Sequence, residues 1–144
     1  MRGKKDRFIF ILNAVWGAVQ SGIGLILFLR FINKPHFWYK GSLVTARAVP
    51  EPLRFNGGLS LGIFVFVTYD ITEEQADGSR LIRHEYGHCL QSALLGPLYI
   101  IIVGIPSLIW MAFFSNWRKR RGASYYAFFI ESWAQKWGGA EDCS

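Results

Sequence analysis

Two histidines and a glutamate form the most distinctive chemical pattern in this 144-residue chain. The sequence His84-Glu85-Tyr86-Gly87-His88 is an H-E-x-x-H motif. On a helix, residues four apart lie within about 40° of each other at ~3.6 residues per turn, so both imidazoles can reach one metal ion. In this motif the glutamate faces the water that the metal activates. The motif therefore predicts that His84 and His88 bind Zn2+ and that Glu85 is the catalytic base.

A third ligand is expected, because catalytic zinc usually has three protein ligands and one position open to water. Glu131 stands alone among apolar and aromatic residues near the end of the chain. A carboxylate buried there without a partner is unfavourable, and a bound cation would offset that cost. We predict that Glu131 is the third ligand. The alternative is a salt bridge between Glu131 and a nearby arginine or lysine.

The composition favours a membrane setting. Hydrophobic residues make up 51% of the chain and aromatic residues 17%, which is more apolar surface than a single small domain buries easily. Much of the net charge of +6 lies in basic clusters at residues 2–7 and 118–121. Basic clusters beside apolar segments are typical of membrane flanks, and they give no reason to expect nucleic-acid binding. We expect an integral protein of the cell membrane, with the lipid bilayer as a partner.

Two apolar segments are candidates to enter the bilayer. Residues 8–29 carry no charge and would be about 33 Å long as a helix, so a transmembrane helix is predicted over 8–32. The second segment, 96–114, is interrupted by prolines and a glycine. It is predicted to be either a kinked span or a re-entrant hairpin.

The remaining segments complete a single domain over residues 1–144. A small antiparallel β-hairpin is predicted over 41–69, where β-branched and aromatic residues are frequent. Its simplest role is to cover the motif helix, predicted over 79–95 and capped by Asp77 or Ser79; the alternative is that an exposed strand edge holds an extended peptide. A helix over 123–137 carries the predicted glutamate ligand. The predicted fold class is thus an α+β membrane protein that is mainly helical, with the hairpin packed on the motif helix.

The motif and the later stretch Glu131-Ser132-Trp133-Ala134 resemble the gluzincin clan of metallopeptidases, the thermolysin-like arrangement. The resemblance implies that Glu131 is the third zinc ligand. Position 135 is Gln where the clan has Asp, so support for a ligand histidine is expected from elsewhere. No histidine follows His88, and Tyr125 or Tyr126 are candidates to stabilise the transition state in its place. Residues 58–107 also resemble a group of small, uncharacterised bacterial membrane proteins, which implies no substrate.

These features predict a membrane-bound zinc-dependent hydrolase, foremost a metallopeptidase that acts on a peptide or on a segment of a membrane protein. Two alternatives use the same residues: a non-catalytic metal-binding scaffold protein of the membrane, and a zinc-dependent lipid or amide hydrolase. The sequence does not indicate an oligomeric state. If both apolar segments crossed the membrane, Glu131 would lie on the opposite side from the histidines. The predicted site therefore requires the chain between residues 97 and 121 to double back.

Overall fold

The computed structural model describes residues 3–48, 57–122 and 129–139. These residues form helices packed around a four-stranded sheet. The elements are α1 (Lys4–Val15), α2 (Ala18–Arg30), β1 (His36–Tyr39), β2 (Ser42–Thr45), β3 (Gly58–Leu61), β4 (Phe64–Val67), α3 (Glu73–Ala76), α4 (Arg80–Leu95), a 3-10 turn (Gly96–Leu98), a π-helical turn (Ile100–Gly104), α5 (Ile105–Phe113), α6 (Ser115–Arg121) and α7 (Phe129–Gly138).

The sheet has the order β1-β2-β4-β3 and mixed strand directions. β1 pairs with β2 and β3 pairs with β4 in antiparallel fashion, whereas β2 and β4 are parallel. The predicted antiparallel hairpin over 41–69 is therefore wrong in its topology. The long apolar run at 59–69 contains two strands, because Gly62 adopts a φ of +63° and turns the chain between them.

The predicted transmembrane helix over 8–32 is also wrong. It consists of α1 and α2, whose axes are bent by 93° at the break around Gly17. The break lets polar side chains of both helices contact α4, where Asn13 donates to the carbonyl of Cys89 and Gln20 donates to the hydroxyl of Ser92. No single helix in the described part of the chain is both long and apolar enough to cross a membrane.

The predicted kinked span or re-entrant hairpin at 96–114 consists of several short helical pieces. The 3-10 turn and the π-helical turn precede α5, which has nine residues. Pro97 and Pro106 each lie in the first turn of a piece, where a proline is tolerated because its missing N–H has no intrahelical partner. The helix type changes next to these prolines, and the backbone of Tyr99, Gly104 and Ile105 stays in the right-handed helical region.

Helix α4 lies at the centre of the fold. Ser79 caps its N-terminus by accepting a hydrogen bond from the backbone N–H of Ile82. One face of the sheet packs against α4 around Val65 and Ile82. The other face packs against α2, where the rings of Phe28 and Phe64 stack with centroids 5.5 Å apart. Since α7 packs on α4 as well, α4 contacts the sheet and the last helix at once.

Candidate metal centre

Helix α4 presents both motif histidines toward the interior. His84 is 2% exposed and His88 is 6% exposed. Their rings lie 4.8 Å apart, centroid to centroid, in an edge-to-face arrangement. The i, i+4 spacing on a regular helix thus places both Nε2 atoms on the face of α4 that meets α7.

Helix α7 carries Glu131 to this face because two glycines allow its backbone to approach α4 closely. A Cβ atom built on Gly87 of α4 would lie 1.7 Å from the carbonyl oxygen of Ala134. A Cβ built on Gly138 of α7 would lie 1.6 Å from the carbonyl oxygen of Arg83. A larger residue at either position would push the helices apart, so the glycines set the distance at which Glu131 meets the histidines.

The three predicted ligands converge. Glu131 Oε2 lies 3.0 Å from His84 Nε2 and 3.1 Å from His88 Nε2, and one ligand atom from each residue lies within 4.8 Å of the others. Within the described ranges, the ion-pair partners of Glu131 are thus these histidines and not the arginine or lysine of the alternative interpretation. The chain doubles back, as the predicted site requires.

The orientation of His88 depends on Gln91. His88 Nδ1 lies 2.8 Å from Gln91 Oε1, and Gln91 Nε2 donates to the carbonyl of Ile130 at 3.1 Å. The amide oxygen can only accept, so Nδ1 carries a proton and Nε2 is the atom available to a metal. Gln135, at the position of the clan's aspartate, instead faces Arg80, and with its amide oxygen turned toward the guanidinium it accepts a hydrogen bond from Nε at 3.2 Å.

Gln91 was missed in the sequence. The signal was present, because Gln91 lies three residues after His88 on the same helix, a spacing at which side chains on one face meet. The clan's pattern places the support for a ligand histidine at position 135 on α7, whereas Gln91 lies on α4.

The two ionisable partners shift each other's pKa in opposite directions. Burial alone disfavours the charge on His88, but the Glu131 carboxylate outweighs it and raises the pKa of His88 to about 9. Burial alone would raise the pKa of Glu131. The charge on His88 and the hydrogen bonds from both histidines instead hold the pKa of Glu131 well below its usual range. Without a metal, the site is an imidazolium–carboxylate pair at neutral pH.

Glu85 lies outside the group of three ligands and is held by the edge strand β3. Ser60 Oγ lies 2.7 Å from Glu85 Oε2 and 2.9 Å from the Glu85 carbonyl oxygen, so the hydroxyl donates to that residue. A Cβ built on Gly58 would lie 2.6 Å from Glu85 Oε1, so a side chain at this position would displace the Glu85 carboxylate. Ser60 was also missed in the sequence, where a polar residue in an otherwise apolar strand was its only signal.

The residues fit a divalent metal ion. Both histidine Nε2 atoms and a carboxylate face one point. Among the described residues, the second oxygen of Glu131, Oε1, is buried without a hydrogen-bond partner, and the Ser107 hydroxyl is close enough to the carboxylate to lower its pKa. A buried carboxylate oxygen without a partner is unfavourable unless a cation or a donor satisfies it. Two imidazoles and a carboxylate suit zinc, but the group is not specific to zinc among transition metals. Tyr125 and Tyr126 lie outside the described residues.

Comparisons of the chain with protein-family models, with curated proteins and with solved structures found no match. The resemblance to the thermolysin-like clan therefore stays a prediction that rests on two short motifs.

Proposed function

We propose that this protein is a metal-dependent hydrolase, with zinc as the metal and peptide bonds as the substrate bonds. The observation that carries the proposal is the position of Glu131, which comes from a separate helix and is 0% exposed between the two motif histidines. An H-E-x-x-H motif in which a third ligand joins the histidines is the arrangement of zinc peptidases.

The proposed mechanism assigns one task to each group. When bound, zinc would supply the Lewis acidity that activates a water molecule and polarises the substrate carbonyl. His84, His88 and Glu131 would hold the ion, and Gln91 fixes the ring of His88. Glu85 accepts the proton of the attacking water and later passes it to the leaving amine.

A peptide substrate is supported by the position of the edge strand. β3 is the last strand on its side of the described sheet, and it packs on α4 through Ser60 and Glu85. An edge strand has N–H and C=O groups that can pair with an extended chain. A peptide paired with β3 would lie beside the proposed base.

The proposal is tested with the zinc-loaded full-length chain and a fluorescently labelled casein substrate. We expect Glu85→Gln to keep stoichiometric zinc and to lose at least about a hundredfold in cleavage rate, because the amide cannot accept the proton. Glu74→Gln is the matched control, since Glu74 is exposed on α3, and it should keep both properties. Full cleavage by the Glu85→Gln variant would remove Glu85 from the mechanism.

A second candidate, a non-catalytic metal site, is favoured by the burial of the ligands. His84 and Glu131 are 2% and 0% exposed, as ligands of a closed structural site would be. The two candidates differ in whether the metal has an open position. Acetohydroxamate added to cobalt-loaded protein should change the visible absorption spectrum if the position is open, and should leave it unchanged if the site is closed.

A zinc-dependent lipid or amide hydrolase would use the same residues. The substrates separate it from a peptidase: release of fatty acid from phospholipid, or of ammonia from a primary amide, would redirect the proposal, provided that Glu85→Gln abolishes it.

A further inference from the structure

The two N-terminal helices bury their polar side chains. Asn13 and Gln20 are each 0% exposed, and Ser21 is 7% exposed. All three make hydrogen bonds with backbone or side-chain groups of the interior: Asn13 Nδ2 with the Cys89 carbonyl at 3.1 Å, Gln20 Nε2 with Ser92 Oγ at 2.8 Å, and Ser21 Oγ with the Asn13 carbonyl at 2.7 Å. The inner face of α1 and α2 therefore buries polar side chains beside apolar ones such as Ile9 and Phe28.

The outer face of the same helices is apolar, and we call it the α1–α2 face. Six of its side chains are between 48% and 74% exposed: Phe8, Ile11, Val15, Val19, Ile23 and Ile26. They follow one another at spacings of three and four residues, so they form one stripe along each helix. A helix surrounded by water shows the opposite distribution, with the apolar stripe inward. Polar side chains inward and apolar side chains outward are typical of helices surrounded by hydrocarbon.

Exposed basic residues flank this apolar face. Lys4, Lys5 and Arg7 lie in the first turn of α1, and Arg30 and Lys34 lie at and beyond the end of α2. Between Arg7 and Arg30 the chain carries no charge. Apolar side chains flanked by lysine and arginine complement a bilayer that has an apolar interior and anionic headgroups.

We infer that the α1–α2 face is inserted into one leaflet of a lipid bilayer that contains anionic lipids. The geometry differs from that of a spanning helix: α1 and α2 have 12 and 13 residues, so each is about 18–20 Å long, and they meet at 93°.

A second segment repeats the order of apolar and basic residues. Ile109 and Phe113 of α5 are 42% and 79% exposed, and α6 carries the basic cluster at 118–121. The inference does not depend on the proposed hydrolase activity.

The test places one spin label at a time on the full-length chain in vesicles of 70% phosphatidylcholine and 30% phosphatidylglycerol. The labels replace Val15 and Ile26 on the α1–α2 face, and Glu74 on α3 as the control. Cys143 is replaced by serine; Cys89 is buried, and burial raises the pKa of its thiol to about 12, so it should not react with the label. The measurement compares the collision of each label with oxygen, which is enriched in lipid, and with a polar nickel chelate, which stays in water.

We expect the labels at positions 15 and 26 to collide preferentially with oxygen, and the label at position 74 to collide with the nickel chelate. Preferential collision with nickel at positions 15 and 26 would overturn the inference. Spin–spin broadening at these positions that disappears on dilution with unlabelled protein would also overturn it, because a second copy of the chain would then cover the face.

A flotation experiment gives a second measurement. The combined substitution Val15→Gln and Ile26→Gln should reduce binding to the same vesicles at least about tenfold, whereas Glu74→Gln should not. Both substituted side chains are exposed, so the free energy of unfolding, measured by chemical denaturation, should be unchanged and reports that the variant is folded. Equal flotation of the variant and the wild type would contradict the inference.

Discussion

The proton on His88 and a metal ion compete for the same atom. His88 Nε2 faces Glu131 Oε2 at 3.1 Å, and this contact raises the pKa of His88 to about 9. At neutral pH a metal must therefore displace a proton from His88 before it can bind there. The pH dependence of metal affinity thus reports directly on this contact.

We predict that the dissociation constant for zinc falls about tenfold for each pH unit between pH 6.5 and 8.5. A competition titration with a chromophoric chelator at several pH values measures it. The stability of the metal-free protein changes in the opposite direction with pH. The raised pKa of His88 stabilises the fold below the unfolded pKa of about 6.5, and this contribution is lost as the pH rises through about 9. An affinity that does not change over this range would mean that His88 is not protonated in the metal-free site.

A prediction about Gln91 separates the observed support of His88 from the support expected at position 135. Gln91→Leu removes the acceptor of the Nδ1 proton, so zinc affinity should fall about ten- to a hundredfold. Gln135→Leu is the control, because Gln135 contacts Arg80 and not a ligand. The same chelator competition measures both. A larger loss in the Gln135 variant would restore position 135 to the role that it has in the clan.

The sequence predicted which residues meet at the site but not which residues hold them in place. His84, His88 and Glu131 carry signals in their own types and spacing, and the structure brings them together. That they bind a metal stays a prediction. Gln91 and Ser60 carry weak signals, because glutamine and serine are common and their roles depend on which neighbours the fold supplies.

At the scale of elements, the contact between α4 and α7 determines whether the site forms. Gly87→Ala places a Cβ atom where the carbonyl oxygen of Ala134 lies, so α7 must shift. We predict that this substitution lowers the free energy of unfolding by about 3 kcal/mol or more and weakens zinc binding, because Glu131 moves with α7. Chemical denaturation and chelator competition measure the two effects.

Gly22→Ala is the matched control for this prediction. Gly22 lies in α2, and a Cβ built there has no atom within 4 Å. The substitution should be neutral or stabilising by up to about 1 kcal/mol, because alanine is the better helix former. If Gly87→Ala were equally well tolerated, the close approach of α4 and α7 would not be what positions Glu131.

The motif helix was predicted more accurately than the other elements, for physical reasons. The motif helix begins and ends close to its predicted bounds, because Ser79 and Gly96 mark its ends locally. The prediction for residues 8–32 was wrong, because the apolar composition does not show that Asn13 and Gln20 bind α4 and that the chain bends between them. The prediction of an antiparallel hairpin was wrong as well, since the parallel pairing of β2 with β4 joins strands that are distant in the chain.

At the scale of the whole molecule, a metal would join two parts of the fold that are far apart in sequence. Glu131 lies 43 residues after His88, and Tyr99 and Val103 of the segment between them pack against Ile130 of α7. A ligand that binds only the folded state stabilises it according to its concentration relative to its dissociation constant. Zinc bound by both helices should therefore raise the melting temperature of the whole chain.

We predict that zinc at a hundredfold excess over its dissociation constant raises the melting temperature by about 10 °C, since it adds about 2.7 kcal/mol to the stability. Glu131→Gln should lose most of this rise. The comparison must be made within each variant, because the substitution also removes the ion pair with His88 and changes the melting temperature of the metal-free protein. Glu85→Gln should keep the full rise, because Glu85 is not among the three ligands.

Calorimetry of the three proteins with zinc and with a chelator therefore distinguishes a metal ligand from a catalytic base without any substrate. A full rise in the Glu131→Gln variant would show that the metal is held by the motif alone and does not join α4 to α7.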